Sequence, residues 1–194
     1  MELDPSLVAL SQRTAAEAGV SDSTEFVTSD LFDFDLSPAS VITMFLLPEL
    51  TLRLRPTLFN LAVGTRIVSN TWDMRGTDDD PEARGWDPDQ TIVLDPCPGF
   101  CTAHMWTVPA KVAGTWRVDD EGGELHLEQR FQAVTGRFQA GGESTEIENG
   151  RLSGPVLTFQ VAGAEYRADV HGSTMTGIAR RDDVSRGWRS VRVP

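Results

Sequence analysis

The sequence predicts an α/β region followed by an antiparallel β region, because the spacing of its apolar residues changes along the chain. Val41 to Leu47 is a continuous apolar run with β-branched residues, which is typical of a strand buried on both faces of a parallel sheet. From about residue 104, apolar and polar residues alternate, and turn signals recur at intervals of about ten residues. We therefore expect a parallel sheet first and a meander or barrel-like region after it.

A helix is predicted near the N-terminus. Asp4 is a good N-cap, Pro5 suits the first helical position and Gly19 is a good C-terminal stop. Glu25–Thr28 follows as a short strand candidate.

A second helical stretch is predicted after the apolar run. Pro48 can open it, and leucines then recur at helical spacing. Pro56 lies inside this stretch and predicts two short helical pieces rather than one. Gly64 ends the stretch, and Thr65–Trp72 is predicted as another strand, so strands and helices alternate as in an α/β fold.

Eight short strands are predicted in the second half, where turn signals separate alternating segments. Asn149-Gly150 is interpreted as a two-residue hairpin turn. The predicted strands are Gly114–Val118, Leu125–Gln132, Gly136–Gln139, Thr145–Glu148, Val156–Val161, Tyr166–Val170, Thr174–Ala179 and Trp188–Val193. We expect three regions: an α/β part over 1–75, an acidic loop or linker over 76–103, and an antiparallel β part over 104–194.

Residues 73–90 are rich in carboxylates, with two prolines and two glycines among them. A calcium loop or a lid is one interpretation, but the spacing does not fit an EF-hand, and a solvated loop is favoured.

Cys97 and Cys101 are interpreted as two free thiols or an incidental pair. No metal site is predicted, since the chain has only 3 His.

The charge of the chain restricts its partners. With 17 basic and 29 acidic residues, the formal net charge is −12, which argues against nucleic-acid and anionic-membrane partners. Residues 1–99 carry 6 basic and 17 acidic side chains (net −11), whereas residues 100–194 carry 11 and 12 (net −1). The sequence shows no secretory signal and no apolar run of membrane-spanning length, so a cytoplasmic location is expected.

The usual catalytic motifs are not found. There is no Gly-x-Ser-x-Gly elbow, phosphate loop, His-Glu-x-x-His or Gly-x-Gly-x-x-Gly, so no catalytic residue is predicted. Ligands of open α/β sheets bind beyond the carboxyl ends of strands, where Glu2, Asp30 and the Phe45–Pro48 segment fall. Each also has a structural interpretation, as a frayed terminus, a turn residue or a helix start.

Taken together, these segments resemble a class I S-adenosylmethionine-dependent methyltransferase. The resemblance covers about residues 1–75 and is greatest to the subgroup with small protein-lysine methyltransferases, in which Leu-Pro follows the fourth strand. It rests on the order of Glu2-Leu-Asp-Pro5, Gly19-Val20, Glu25-Phe-Val27, Asp30-Leu-Phe-Asp33, Val41 to Glu49, Leu54-Arg-Pro56 and Gly64 to Ser69.

The resemblance implies a Rossmann-like sheet, S-adenosyl-L-methionine as cofactor and a role for each matched residue. Glu2 would hold the cofactor ribose, Leu3 would pack on adenine, Asp30 would bind the adenine amino group, and Leu31 would give a backbone contact. Phe45, Leu46, Leu47 and Pro48 would line the methyl donor and the acceptor, and Asn70, Thr71 and Trp72 would lie near the acceptor.

The chain departs from the family pattern at its beginning. The family's first strand and its acidic glycine-rich loop, which holds the methionine end of the cofactor, precede the segment that Glu2 matches. An incomplete chain, a remnant that no longer catalyses, or a gap filled by something else would each explain this. We expect an N-terminally truncated methyltransferase, inactive as this chain, whose acceptor is a small molecule or a protein lysine. The alternative is a non-catalytic binding module or pseudo-enzyme that uses the C-terminal β region.

Overall fold

The computed structural model describes residues 1–76, 85–119 and 122–194, which divide into two compact units, 1–38 and 39–194. In the first unit, helix α1 (Pro5–Glu17) begins as predicted, because the Asp4 carboxylate accepts a hydrogen bond from the Ser6 N–H at 2.8 Å. A 3₁₀ turn follows at Ser21–Ser23. In place of the predicted strand Glu25–Thr28, only Thr28 pairs, in a parallel bridge with Glu2.

The second unit begins with a four-stranded mixed sheet. Its strands are β1 (Val41–Met44), β2 (Arg66–Asn70), β3 (Gln90–Val93) and β4 (Thr102–Thr107), in the spatial order β1-β2-β4-β3. β1 and β2 are parallel and are connected through helix α2 (Pro48–Phe59), whereas β4 is antiparallel to both of its neighbours. The predicted parallel sheet is thus limited, in this unit, to one pair of strands.

Two predictions for this region are wrong. Helix α2 continues through Pro56 instead of breaking into two pieces. Pro56 lacks only its own N–H donor, so the helix loses a single backbone hydrogen bond by including it. The strand expected to be buried on both faces is short and partly exposed, with Val41 42% accessible, because β1 lies at an edge of the sheet that the structure describes.

The rest of the chain forms a closed antiparallel barrel. Its spatial order is β6-β5-β13-β12-β11-β10-β9-β7, and pairing of β7 with β6 closes the eight strands. The short strand β8 pairs with residues 137–140 of β7, whereas β9 pairs with Ala133 and Val134 of the same strand. The strands are β5 (Gly114–Val118), β6 (Gly123–Arg130), β7 (Ala133–Ala140), β8 (Glu143–Glu146), β9 (Glu148–Ser153), β10 (Val156–Val161), β11 (Ala164–His171), β12 (Thr174–Arg181) and β13 (Val184–Arg192). The barrel-like expectation is confirmed.

The interpretation of Asn149-Gly150 as a hairpin turn is wrong, since both residues lie inside β9. Gly150 is needed there for a different reason. A Cβ atom at Gly150 would lie 2.1 Å from the carbonyl oxygen of Val134, so only glycine allows β7 and β9 to approach this closely. The glycine therefore marks a close contact between strands.

Inward-facing side chains fill the barrel, and one end is closed by residues before β5. Trp116, Leu157 and Met175 are completely buried. At the closed end the Arg192 guanidinium lies 4.3 Å from the centre of the Trp116 ring and donates to the carbonyl groups of Lys111 and Ala113. Burial lowers the pKa of Arg192.

The barrel contacts the mixed sheet through an aromatic cluster of Phe59, Trp86, Trp106 and Phe131. The rings of Trp86 and Phe131 stack with 5.7 Å between centroids, and Phe59 meets Phe131 edge-on at 5.1 Å. The Trp106 indole N–H donates to the Trp86 carbonyl at 2.8 Å. Trp86 therefore joins the mixed sheet to the barrel from within the segment interpreted as a linker, and β3 and the start of β4 in that segment belong to the sheet.

Cys97 and Cys101 form a disulfide, with their Cα atoms 5.7 Å apart. The interpretation of the two cysteines as free thiols is therefore wrong. A four-residue separation in a turn between two antiparallel strands brings the side chains within bonding distance.

The acidic cluster of Asp78, Asp79, Asp80 and Glu82 lies outside the described residues. Among the helices that are described, none has both the length and the apolar character needed to cross a membrane.

Candidate functional site

Glu2 is held at the end of a short parallel pairing in the first unit. Its backbone N–H donates to Val27 at 2.9 Å, and its carbonyl accepts from Ser29 at 3.1 Å. Its side-chain Oε1 accepts from the backbone N–H groups of Leu3 and Asp4, at 2.7 and 3.1 Å. These bonds fix the carboxylate, while Oε2 has no hydrogen-bond partner among the described residues. Such a carboxylate can accept hydrogen bonds from the hydroxyl groups of a ligand.

Asp30 lies two residues beyond Thr28, the pairing partner of Glu2. Its Oδ1 accepts from the backbone N–H of Phe32 at 2.9 Å, which holds the side chain in an Asx turn. Because Glu2 and Thr28 are paired in parallel, residues that follow them leave the pair at the same end. The structure thus brings Glu2 and Asp30 to one end of two parallel segments, and both carboxylates are exposed.

The apolar residues assigned to the cofactor lie beside these acids in sequence. Leu3 is 67% exposed, which leaves its side chain available to an apolar or aromatic ligand face. Leu31 is half-buried. Asp4 is committed to helix α1, and its hydrogen bond from the Ser6 hydroxyl, together with the Ser6 N–H, lowers the pKa of its carboxyl group.

The Phe45–Pro48 segment connects β1 to α2 in the second unit. Leu47 occupies the N-cap position and Pro48 the first helical position of α2. The completely buried Thr51 donates its hydroxyl to the Leu47 carbonyl at 3.1 Å, which fixes the helix start. Phe45 and Leu47 are nevertheless 59% and 61% exposed, so the segment presents apolar surface at the carboxyl end of β1.

The residues after β2 lie at the same end of the mixed sheet. Met44 pairs with Ser69, so Phe45 and Asn70 leave their parallel strands side by side. The Asn70 side chain accepts from the Thr71 hydroxyl at 2.6 Å, and Thr71 has a positive φ of 67°. The Thr71 N–H donates to the Thr102 carbonyl, which ties this turn to β4. Trp72 is 36% exposed.

Phe100 is a residue that the sequence analysis did not select. It lies in the disulfide-bonded turn between β3 and β4, and its ring meets that of Phe45 edge-on with 5.2 Å between centroids. The ring is 63% exposed. The spacing of Cys97 and Cys101 is the signal that could have found it, since a short disulfide loop holds the intervening side chains in place. Phe45 and Phe100 together form an exposed aromatic pair.

This end of the mixed sheet contains apolar and amide side chains. Phe45–Pro48 includes no titratable residue. In the parts of the chain that the structure describes, no group of three His, Cys, Asp or Glu residues is arranged to hold a metal ion. The arrangement can position and shield a reacting group, but these side chains cannot transfer a proton.

The first 81 residues match a family model described as the ANTKMT methyltransferase domain. A protein-lysine N-methyltransferase of Saccharolobus islandicus (strain REY15A) is 36% identical over 78 residues, which are 40% of this chain and 43% of that protein. Residues 1–81 are related to S-adenosylmethionine-dependent methyltransferases. The resemblance drawn from the sequence is thereby confirmed for this part of the chain.

The chain is also similar to a solved structure. The crystal structure of an RNA methyltransferase from Salinibacter ruber, in complex with S-adenosyl-L-homocysteine, is 40% identical, with a TM-score of 0.49. The match covers 57% of this chain and 65% of that one. The chain thus spans less than half the length of the curated methyltransferase and about two thirds of the solved one.

Proposed function

We propose that this chain belongs to an enzyme that transfers a methyl group from S-adenosyl-L-methionine. The observation that carries the proposal is the placement of Glu2 and Asp30 at one end of two parallel segments, within a stretch related to methyltransferases. Glu2 would accept hydrogen bonds from the ribose hydroxyls, and Asp30 from the adenine amino group. Leu3 and Leu31 would contact the adenine.

We assign the acceptor side to Phe45, Leu46, Leu47 and Pro48, with Asn70, Thr71 and Trp72 nearby. The cofactor's sulfonium is already an activated methyl donor, so the protein needs to position the acceptor and exclude water. The exposed, apolar Phe45–Pro48 segment suits that task, and the lack of titratable groups within it is compatible with the chemistry.

We further propose a protein lysine or a small amine as the acceptor. The curated relative is named as a protein-lysine methyltransferase. The aromatic pair of Phe45 and Phe100 supports this choice, because aromatic faces attract ammonium groups and pack against alkyl chains. The ammonium group would lose its proton to water before the neutral amine attacks the methyl group. The net charge of −12 disfavours a nucleic acid. A Rossmann-like arrangement of the whole cofactor domain and a cytoplasmic location are parts of the same proposal.

The cofactor assignment can be tested with two ligands that share the adenosine group. The proposed contacts of Glu2, Leu3, Asp30 and Leu31 are all made to the adenosine group. We therefore expect S-adenosylmethionine and 5′-methylthioadenosine to bind this chain with similar millimolar affinity, about −4 kcal/mol, as measured by ligand-observed NMR.

The Asp30→Asn variant should weaken both ligands about tenfold, since a hydrogen bond to a charged group contributes about 1.5–3 kcal/mol. Asp33→Asn, a change of the same kind three residues away, is the matched control and should leave both affinities unchanged. Equal affinities of the Asp30→Asn and Asp33→Asn variants for these ligands would contradict the proposed adenosine site.

A further inference from the structure

The barrel has an open end opposite the one that Arg192 closes. A cavity of about 590 Å³ lies there, between the turns that connect β7 to β8, β10 to β11 and β12 to β13. Its apolar wall includes Phe138, Val161, Tyr166 and Ala179. We call this cavity the barrel mouth.

Two arginines of the barrel mouth occupy inward-facing positions. On β12, Arg181 lies on the same face of the strand as the buried Met175 and Ala179, because even spacing keeps side chains on one face. On β13, Arg186 pairs with Ala179 and continues the row of the buried Trp188. Both arginines are exposed at the rim of the barrel, so their charges are accessible to a ligand that enters the mouth.

The side chains at the mouth are positioned by specific contacts. The Arg181 Nη2 donates to the Ala162 carbonyl at 3.0 Å, which orients the guanidinium at the rim. Tyr166 stacks on Phe159 with 4.8 Å between ring centroids, and its ring meets Trp188 edge-on at 5.6 Å. Burial raises the pKa of Tyr166, and the nearby charge of Arg181 opposes that shift.

The local charge differs in sign from that of the whole chain. Three arginines line the mouth (Arg180, Arg181 and Arg186) against two carboxylates (Glu143 and Asp182), which gives 3 − 2 = +1. The chain as a whole carries −12. A positive cavity in an acidic protein attracts anions and not the cations that the remaining surface would attract.

Polar groups continue below the mouth along β13. The indole Nε1 of Trp188 and the hydroxyl of Ser190 are buried, and neither has a hydrogen-bond partner among the described residues. Unpaired buried polar atoms are uncommon in protein cores. Neither Trp188 nor Ser190 lines the cavity, so the groups at the mouth itself define the site.

We propose that the barrel mouth binds a small organic anion with an aromatic or apolar body. The anionic group, a carboxylate or sulfonate, contacts Arg181 and Arg186, whose planar guanidinium groups bind such oxygens in pairs. The body lies against Phe138 and Tyr166. The cavity has the size of a small-molecule site, its wall combines apolar side chains with charged ones, and such sites often lie in barrel mouths. No part of this proposal depends on methyl transfer.

The test uses 8-anilinonaphthalene-1-sulfonate, an aromatic anion whose fluorescence rises in apolar surroundings. Wild-type protein that unfolds cooperatively should bind one equivalent saturably. The double variant R181Q/R186Q should bind at least tenfold more weakly. R167Q removes the same charge from the outward face of β11, next to Tyr166, and should bind as the wild type does.

A neutral probe separates charge recognition from simple apolar binding. N-phenyl-1-naphthylamine lacks the sulfonate and should bind the wild type at least tenfold more weakly than the anion, with no change in R181Q/R186Q. If the double variant does not fold, the single variant R186Q should still weaken the anion several-fold. Amide shifts in the wild type should also move around Tyr166 and Arg181. Non-saturable binding, equal affinity for the two probes, or shifts located elsewhere would overturn the proposal.

Discussion

The mixed sheet and the barrel differ in how completely their strands are paired and covered. Each of the eight barrel strands has a neighbour on both sides, and Leu157 and Met175 in its interior are completely buried. The mixed sheet ends at β1 and β3, where Val41 is 42% and Val93 is 68% exposed. Apolar burial is the largest favourable contribution to folding, so most of the stability of these 194 residues should reside in the barrel.

The residues proposed to bind ligands differ from those expected to stabilise the fold. The residues assigned to the cofactor and the acceptor are exposed or half-buried. Glu2 and Asp30 are held by hydrogen bonds from backbone N–H groups. Substitutions there should alter binding with little effect on folding. Substitutions in the barrel interior should do the opposite, except at the mouth.

The largest expected effect is that of Gly177→Ala in β12. A Cβ atom there would lie 1.9 Å from the Arg167 carbonyl oxygen and 2.6 Å from the Ala168 Cα, so β11 and β12 must separate to admit it. We expect a loss of about 4 kcal/mol or more in the free energy of unfolding, measured by urea denaturation.

Gly187→Ala on the neighbouring strand is the matched control for Gly177→Ala. A Cβ atom at Gly187 would lie 4.0 Å from the Gly177 carbonyl oxygen, which is an ordinary distance, and we expect a change below about 1 kcal/mol. Similar losses at the two positions would mean that the strands of the barrel are not packed as closely as described.

A pair of identical substitutions compares the two regions directly. Leu157→Ala removes a completely buried side chain of the barrel and should cost about 2–5 kcal/mol. Leu47→Ala removes a side chain that is 61% exposed at the start of α2 and should cost about 0.5 kcal/mol or less. Urea denaturation of both variants gives the comparison, and a larger loss for Leu47→Ala would reverse our assignment of stability to the barrel.

A smaller effect concerns Lys111, at the junction of the two regions. Its ammonium group donates to the Phe59 carbonyl at 2.9 Å and lies over the Phe59 ring. Burial lowers the pKa of Lys111 to about 8, from its ordinary value of 10.5. The chain contains no other lysine, so the titration of a ¹³C-labelled lysine Cε signal reports this group alone.

The lowered pKa has a defined consequence for stability. Between pH 8 and 10.5 the unfolded chain binds a proton at Lys111 that the folded chain has lost. The free energy of unfolding should therefore rise with pH across this interval, by no more than about 1 kcal/mol because the side chain is partly exposed. Lys111→Met should remove this slope, and a lysine that titrates near 10.5 in the folded protein would contradict the buried junction.

The barrel was largely predictable from the sequence because its signals are local. Alternating residues and tight turns place Gly114–Val118 and Val156–Val161 at the predicted bounds. β9 was missed because Asn149-Gly150 has the composition of a turn, whereas Gly150 is required by a contact with Val134 that is distant in sequence. Local patterns do not contain such contacts.

The mixed sheet was predicted less well, since its form depends on which strands become neighbours. The apolar run at Val41 indicates a buried strand, but burial depends on the elements that cover it, and β1 lies at an edge of the described sheet. The pairing of β3 and β4 with the strands before them also depends on distant contacts. Among the residues of the candidate site, Glu2 and Asp30 were predicted from the family resemblance. Phe100 was not predicted, because its position depends on a disulfide that the spacing of the two cysteines did not establish.

The central claim is that the adenosine contacts lie in the first unit and are separate from the barrel. The most direct measurement is a ¹H–¹⁵N NMR titration of the 194-residue chain with 5′-methylthioadenosine. Our account predicts that the largest amide shifts occur at residues 2–4 and 30–32, with none around Tyr166 or Arg181 at the barrel mouth. Shifts confined to the barrel, or no shifts at residues 2–4 and 30–32 at saturating ligand, would contradict it.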